Sequence, residues 1–281
     1  MNNISIISIM LTLIVSLIVP PAFAAVYARR NKKQGIWSAW LVGALGFFVP
    51  QILIRLPILA ALSWTDGFIA FSQTHTLIYG FALAFTAGLF ELSGRYAVAR
   101  CLKKNLTYRR ALAAGLGHGG IEAILITGLA YLSNVVFLVM LQTGGFEATV
   151  TQTTAAGGDV TALLTAKDAL MNTPWALFLL AGFERLLAMT CHAAMSMLVC
   201  YGVHRNHALP GVLACLAMHT CMDFIASISL FVGKGLSQTM AYTIIYVLLT
   251  AVTVFAIVIL KTIRARWAAE EAQEVPYDSQ A

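Results

Sequence analysis

The sequence predicts an all-α protein, a polytopic transmembrane bundle of about seven helices, on three observations. Of 281 residues, 59% are hydrophobic and only 11% charged, with a mean hydropathy of +0.81, far from the composition of a soluble domain. The apolar residues recur in stretches of about 20, long enough to cross roughly 30 Å of hydrocarbon as helix. The segments between them leave no room for a soluble domain, and within a bilayer the backbone must satisfy its own polar groups.

Seven spans follow, at approximately 4–28, 36–60, 73–99, 111–141, 175–203, 208–231 and 238–262. The first ends at RRNKK (Arg29 to Lys33), and the second is followed by a connection whose charge is Asp66. Arg100, Lys103, Lys104, Arg109 and Arg110 separate the third from the fourth. The fourth leads into a connection carrying Glu147, Asp159, Lys167 and Asp168, and the fifth ends at Arg205. Lys234 separates the sixth from the seventh, which runs into Lys261, Arg264 and Arg266. Basic residues thus crowd alternate connections, which places those connections in the cytoplasm, the N-terminus outside and the C-terminus inside. Ala22 to Ala24 would fit a signal-peptide cleavage site, but the basic residues follow the first apolar stretch rather than precede it, so that stretch reads as a helix of the bundle.

On this reading residues 1–267 form one transmembrane helical domain in the cell membrane. Residues 142–174, rich in Thr and Gly, make an extracytoplasmic loop, a cover or mobile segment by its length. Residues 268–281 make a polar, acidic, solvated cytoplasmic tail. The net charge of +6 lies in membrane-flanking loops, so the expected partners are the lipid bilayer and a membrane-protein or peptide substrate, with no nucleic acid. The five cysteines are unpaired in spacing and mostly within apolar helix, which suggests neither a disulfide framework nor a zinc knuckle.

Ionisable groups inside a span cost about 2.5 kcal/mol or more each and persist where they face a partner, a cavity or water. Here the third span has Glu91 and Arg95, the fourth His118 and Glu122, the fifth Glu184, Arg185 and His192, and the sixth His219 and Asp223, with Arg55 alone in the second. Glu91 with Arg95, His118 with Glu122, and His219 with Asp223 each share a helix face at a separation of four. Counted from the expected boundaries, Glu122 and His219 are each the twelfth residue of their spans, and His192 lies at a comparable remove from the end of its own. A carboxylate and two imidazoles at one depth can activate water, directly or as ligands of a metal with an open position. Glu91 and Arg95, counted nearer the cytoplasmic end, read as a structural salt bridge, and Glu184 with Arg185 as another, paired with Arg55 or a further helix. His118, among glycines that let a helix approach closely, reads equally as a partner of Glu122 or as part of the site.

FELSGRY at 90–96, GHGGIEA at 117–123, ERLLAMTCHAAMS at 184–196 and HTCMD at 219–223 resemble the YhfC family of intramembrane metalloproteases. That family is similar to the wider CPBP group, which includes the CaaX prenyl proteases, PrsW and, more distantly, the Aph scaffold subunit of gamma-secretase. The resemblance covers the second through sixth spans. It implies that Glu122 activates water, that His192 is the histidine of the second motif, and that His219 with Asp223 forms the third. The wider group has E-E-x-x-x-R in its first motif, whereas here Glu122 follows Ile121 and the E-x-x-x-R spacing falls on Glu91 and Arg95. Glu122 is taken as the base because its depth matches the histidines.

The expected activity is intramembrane peptide hydrolysis: Glu122 takes a proton from water and returns it to the leaving amine, His192 and His219 position the water, and Asp223 orients His219. If zinc is bound, Glu122, His192 and His219 make a His₂Glu set with one position left for water, the two histidines being the candidate ligands, and a metal-free glutamate mechanism is the alternative. One glutamate cannot comfortably be both ligand and base, so a metal would bring His118 or Glu184 into one of those roles. Gly119 and Gly120 are expected to leave room for the substrate. A noncatalytic membrane scaffold and a proton- or ion-coupled transporter are the rival readings of the same buried groups.

Overall fold

The computed structural model describes residues 2–273. Seven helical stretches within it are long and apolar enough to cross a membrane: Asn3–Arg30, Ile36–Leu62, Thr76–Asn105, Tyr108–Thr143, Trp175–His204, Leu209–Phe231 and Gln238–Gln273. The protein is therefore a polytopic helical membrane protein, as its composition predicts.

The first stretch is two helices, α1 (Asn3–Leu17) and α2 (Val19–Arg30), interrupted just before the Pro20–Pro21 pair. In the second, α3 (Ile36–Phe47) passes into a π-helical segment at Phe48–Arg55 that contains Pro50, and then into α4 (Leu56–Leu62). Next come the short α5 (Asp66–Thr74) and the long α6 (Thr76–Leu102). The fourth stretch is α7 (Tyr108–Glu122), a second π-helical segment at Ala123–Gly128, and α8 (Leu129–Thr143). Isolated π turns within helices tend to mark functional sites, and this one begins directly after Glu122.

The chain divides into two compact units. One contains the chain up to Pro21 with Ala123–Leu186. In it the Thr12 hydroxyl and the Tyr131 hydroxyl both donate to the Phe178 carbonyl, at 2.6 and 3.1 Å, which suits a bilayer where polar groups must find partners between helices. Residues 142–174 differ from the expected loop: they fold largely as α9 (Gly145–Ala155) and α10 (Thr161–Asn172). Their threonines weaken helix propensity, but Phe146 and Leu170 are 2% and 5% exposed, and Lys167 pairs with Glu147 at 3.4 Å. Burial outweighs propensity there, and the breaks fall where glycine supplies a positive φ, at Gly144 (76°) and Gly157 (73°).

The other unit contains Ala22–Glu122 and the chain from Leu187 on. It includes most of α11 (Trp175–His204), α12 (Leu209–Ala226), a 3-10 turn at Ser227–Phe231 and α13 (Gln238–Gln273). Its helices cross at glycine: a Cβ on Gly43 would overlap the backbone of Ala114, and one on Gly94 the carbonyl of Gly46, so α3 lies directly against α7 and α6. Residues 268–273 are also not a solvated tail. They continue α13 past the fully buried Trp267, and Glu270 accepts from Arg205 at 2.6 Å and Tyr201 at 2.8 Å, while Glu271 accepts from the Tyr108 N–H at 2.8 Å. The rest of the expected tail, 274–281, lies outside the described residues.

Candidate active site

Four helices of the second unit deliver ionisable side chains to one buried cluster: Glu91 and Arg95 from α6, His118 and Glu122 from α7, His192 from α11, and His219 and Asp223 from α12. Close crossings set the reach of each. A Cβ on Gly119 would lie 2.9 Å from the His192 Cβ, and one on Gly88 would lie 3.5 Å from the His219 Cβ. The glycine at 119 thus admits α11 and fixes the position of His192, which corrects the expectation that it leaves room for substrate.

Glu91 is at the centre. Its Oε2 accepts from His118 Nε2 at 3.0 Å, His219 Nε2 at 2.8 Å and Arg95 Nη2 at 3.2 Å, and His192 Nδ1 stands 3.9 Å away. Glu91, Arg95 and all three histidines are 3% exposed or less. The His118 and His192 rings stack at 5.3 Å, and the His192 and His219 rings meet edge-on at 5.5 Å. The Glu91–Arg95 salt bridge is present, but the expectation that it is a separate structural pair nearer one end of its span is corrected. The helical stretch long and apolar enough to cross is Thr76–Asn105, and Glu91 sits at its middle.

The outer nitrogens of two imidazoles face further carboxylates. His192 Nε2 lies 2.6 Å from Glu122 Oε2, and His219 Nδ1 lies 3.5 Å from Asp223 Oδ2. Because Arg95 Nη2 donates to His192 Nδ1, the ring proton of a neutral His192 is at Nε2, on the side of Glu122. His118 Nε2 turns to Glu91, and its Nδ1 is buried with no hydrogen-bond partner. The His118 ring therefore reaches the cluster, though through Glu91 on the neighbouring helix. Glu122 and Asp223 are the open edge: their side chains are 15% and 33% exposed, against 3% for Glu91.

Arg55 Nη2 donates to the Leu83 carbonyl at 2.7 Å and to Thr86 Oγ1 at 3.3 Å. Glu184 and Arg185 belong to the first unit, where they pair with each other. Neither Cys191, buried beside Thr253, nor Cys221, exposed, is bonded to a histidine nitrogen in any described contact.

The donor set suits a cation. Ligand atoms of Glu91, His118 and His192 all lie within 4.8 Å of one another. Three imidazoles directing a nitrogen toward one carboxylate oxygen, with Glu122 and Asp223 behind two of them, reproduce the carboxylate–histidine arrangement that orients metal ligands. With neutral imidazoles, Glu91, Glu122 and Asp223 outnumber the guanidinium groups of Arg95 and Arg55, so the neighbourhood is short of positive charge. The Arg95 guanidinium engages the same atoms of Glu91 and His192, and cation binding competes with that contact.

Fold and site together define a polytopic membrane protein with a buried carboxylate–imidazole group that could hold a metal ion. The sequence model of the YhfC intramembrane metalloprotease family matches residues 15–259, and the chain belongs to that family. It is 32% identical over 236 residues to the "Uncharacterized membrane protein YhfC" of Bacillus subtilis (strain 168), covering 83% of this chain and 88% of that protein. No solved structure matches the chain.

Proposed function

We propose that this protein is an intramembrane endopeptidase of the cell membrane, hydrolysing peptide bonds of a membrane-embedded or membrane-proximal substrate. The observation that carries this reading is the convergence of three imidazoles on the Glu91 carboxylate, with Glu122 against His192 at the open edge. The family description supports it.

Glu122 is the general base. It is the more exposed of the two glutamates, so water reaches it, and His192 Nε2 at 2.6 Å holds its carboxylate in place. Glu122 takes the proton of the attacking water and delivers it to the leaving amine. Both nitrogens of His192 and of His219 face protein partners, so these rings position Glu122 and Glu91 rather than the water itself, and Asp223 faces His219 Nδ1. Glu91, His118 and His192 are the residues that would hold a zinc ion, with His219 bonded to Glu91 beside them. Such an ion supplies a Lewis acid and an acidified water. This division separates ligand from base between two glutamates, so neither has to do both.

A second reading, a metal-free glutamate mechanism, is favoured by the Arg95 guanidinium against Glu91 and His192, which supplies a fixed positive charge in the ion's place. Elemental analysis of purified protein, with cleavage of a labelled single-span peptide measured before and after chelation, separates the two. Stoichiometric zinc, with activity lost on chelation and restored by zinc, supports the metal centre. Activity without bound metal supports the second reading, and absence of cleavage across a library of membrane peptides contradicts both.

A further inference from the structure

A groove of about 300 Å³ opens in the second unit beside the site, with Gln51, Arg55, Gly80, Ala84, Asp223 and Ser227 among its lining residues. Asp223 joins it to the cluster, since its carboxylate is 3.5 Å from His219 Nδ1 and the other nitrogen of that ring bonds Glu91. Gln51 is 8% exposed and its Oε1 has no hydrogen-bond partner. Arg55 is 7% exposed and commits Nε and Nη2 to Leu83 and Thr86, leaving Nη1 outside those bonds.

A buried amide oxygen without a donor costs free energy in any protein and more within a bilayer, so its retention points to a ligand that donates. An unwound peptide is such a ligand: once out of its helix, its N–H groups need acceptors and its carbonyls need donors. Gln51 and Asp223 offer the acceptors and Arg55 the donor. One wall is narrow, because Gly80 and Ala84 lie one turn apart on α6, and a Cβ on Gly80 would come within 2.8 Å of Ser227 Oγ. The volume is at the lower end for ligand pockets, which leaves space for backbone and little for side chains.

We propose that this groove receives an unwound stretch of the substrate chain rich in Gly and Ala, with Gln51 accepting a backbone N–H, and so sets both where the substrate is cut and which substrates are taken. This rests on the peptidase reading above.

The test uses full-length Glu122→Gln protein in nanodiscs with a benzophenone side chain introduced at Leu230, which also lines the groove. The probe is a synthetic single-span peptide with Ala-Gly-Ala-Gly at mid-membrane, compared with the same peptide carrying Leu there. Val254 on α13, 57% exposed, is the control position. The glycine-alanine peptide is expected to label Leu230 selectively, Gln51→Leu to reduce labelling about tenfold, as for a lost hydrogen bond to a buried group, and Ser229→Trp, in the groove lining, to abolish it. In the wild-type background, Gln51→Leu raises KM for the peptide with kcat unchanged. Equal labelling by both peptides, labelling at Leu230 no greater than at Val254, or indifference to both variants overturns the proposal. Groove labelling without any wild-type cleavage would overturn the peptidase reading and leave the groove standing. Cleavage with KM and kcat untouched by both variants would do the reverse.

Discussion

Glu91 shows how a single carboxylate can organise a site. A glutamate at 3% exposure in a membrane helix is tolerable because Arg95, His118 and His219 each donate to the same oxygen. Removing it leaves two imidazole N–H groups buried without an acceptor and a buried guanidinium without its carboxylate. Glu91→Ala is therefore expected to lower stability by about 3 kcal/mol or more, read as an earlier thermal unfolding transition in detergent. The Glu91→Ala/Arg95→Met double variant should recover a large part of that loss. Unchanged unfolding in the single variant would show that Glu91 is not the acceptor described. Glu122 behaves differently, being partly open to its surroundings, and Glu122→Gln should leave unfolding nearly unchanged while reducing cleavage at least ~100-fold, the scale of general-base loss. Sequence pairing at a spacing of four found the Glu91–Arg95 and His219–Asp223 contacts, but it also paired His118 with Glu122, whereas those side chains turn to Glu91 and His192 on other helices. Spacing constrains which face a side chain occupies and says nothing about which helix packs there.

At the level of the elements, glycine decides how close the helices come. Gly94→Ala would drive a methyl group into the Gly46 carbonyl, and the expected cost is about 1–3 kcal/mol. Gly67→Ala, with nothing within 4 Å of the added carbon, should leave the unfolding temperature where it is. Equal effects in the two variants would contradict the close crossing of α3 and α6. Gly119→Val is expected to displace His192 and lower activity by more than its effect on stability, measured as kcat against melting temperature. The end of α13 gives a third comparison. Truncation after Trp267 removes the Glu270 and Glu271 contacts and should destabilise the protein relative to truncation after Gln273, which keeps them. Equal stability of the two truncations would return residues 268–273 to the status of a tail. These acidic residues read as solvated in the sequence because their partners, Arg205, Tyr201 and Tyr108, are distant along the chain.

For the molecule as a whole, hydrophobic length was sufficient to find all seven spans, because the bilayer imposes one dimension on every helix. What it could not find were features set by packing: the helices within 142–174, held by Phe146 and Leu170, and the central position of Glu91, which depended on where its span ends. His192 and His219 were legible as site candidates because an imidazole in an apolar helix has few other reasons to be there. The orientation proposed from the basic loops predicts that a reporter fused after residue 281 is active only in the cytoplasm and one inserted between α9 and α10 only outside. The reverse pattern would invert the topology without touching the site. The central claim, that this buried carboxylate–imidazole centre directs water at a peptide bond, is tested most directly by mass spectrometry of the cleaved peptide after reaction in ¹⁸O-water. Label in the new C-terminal carboxylate of the wild-type product, and loss of that product in Glu122→Gln, is the predicted result. Undiminished formation of labelled product by Glu122→Gln, or cleavage without incorporated label, would contradict the account.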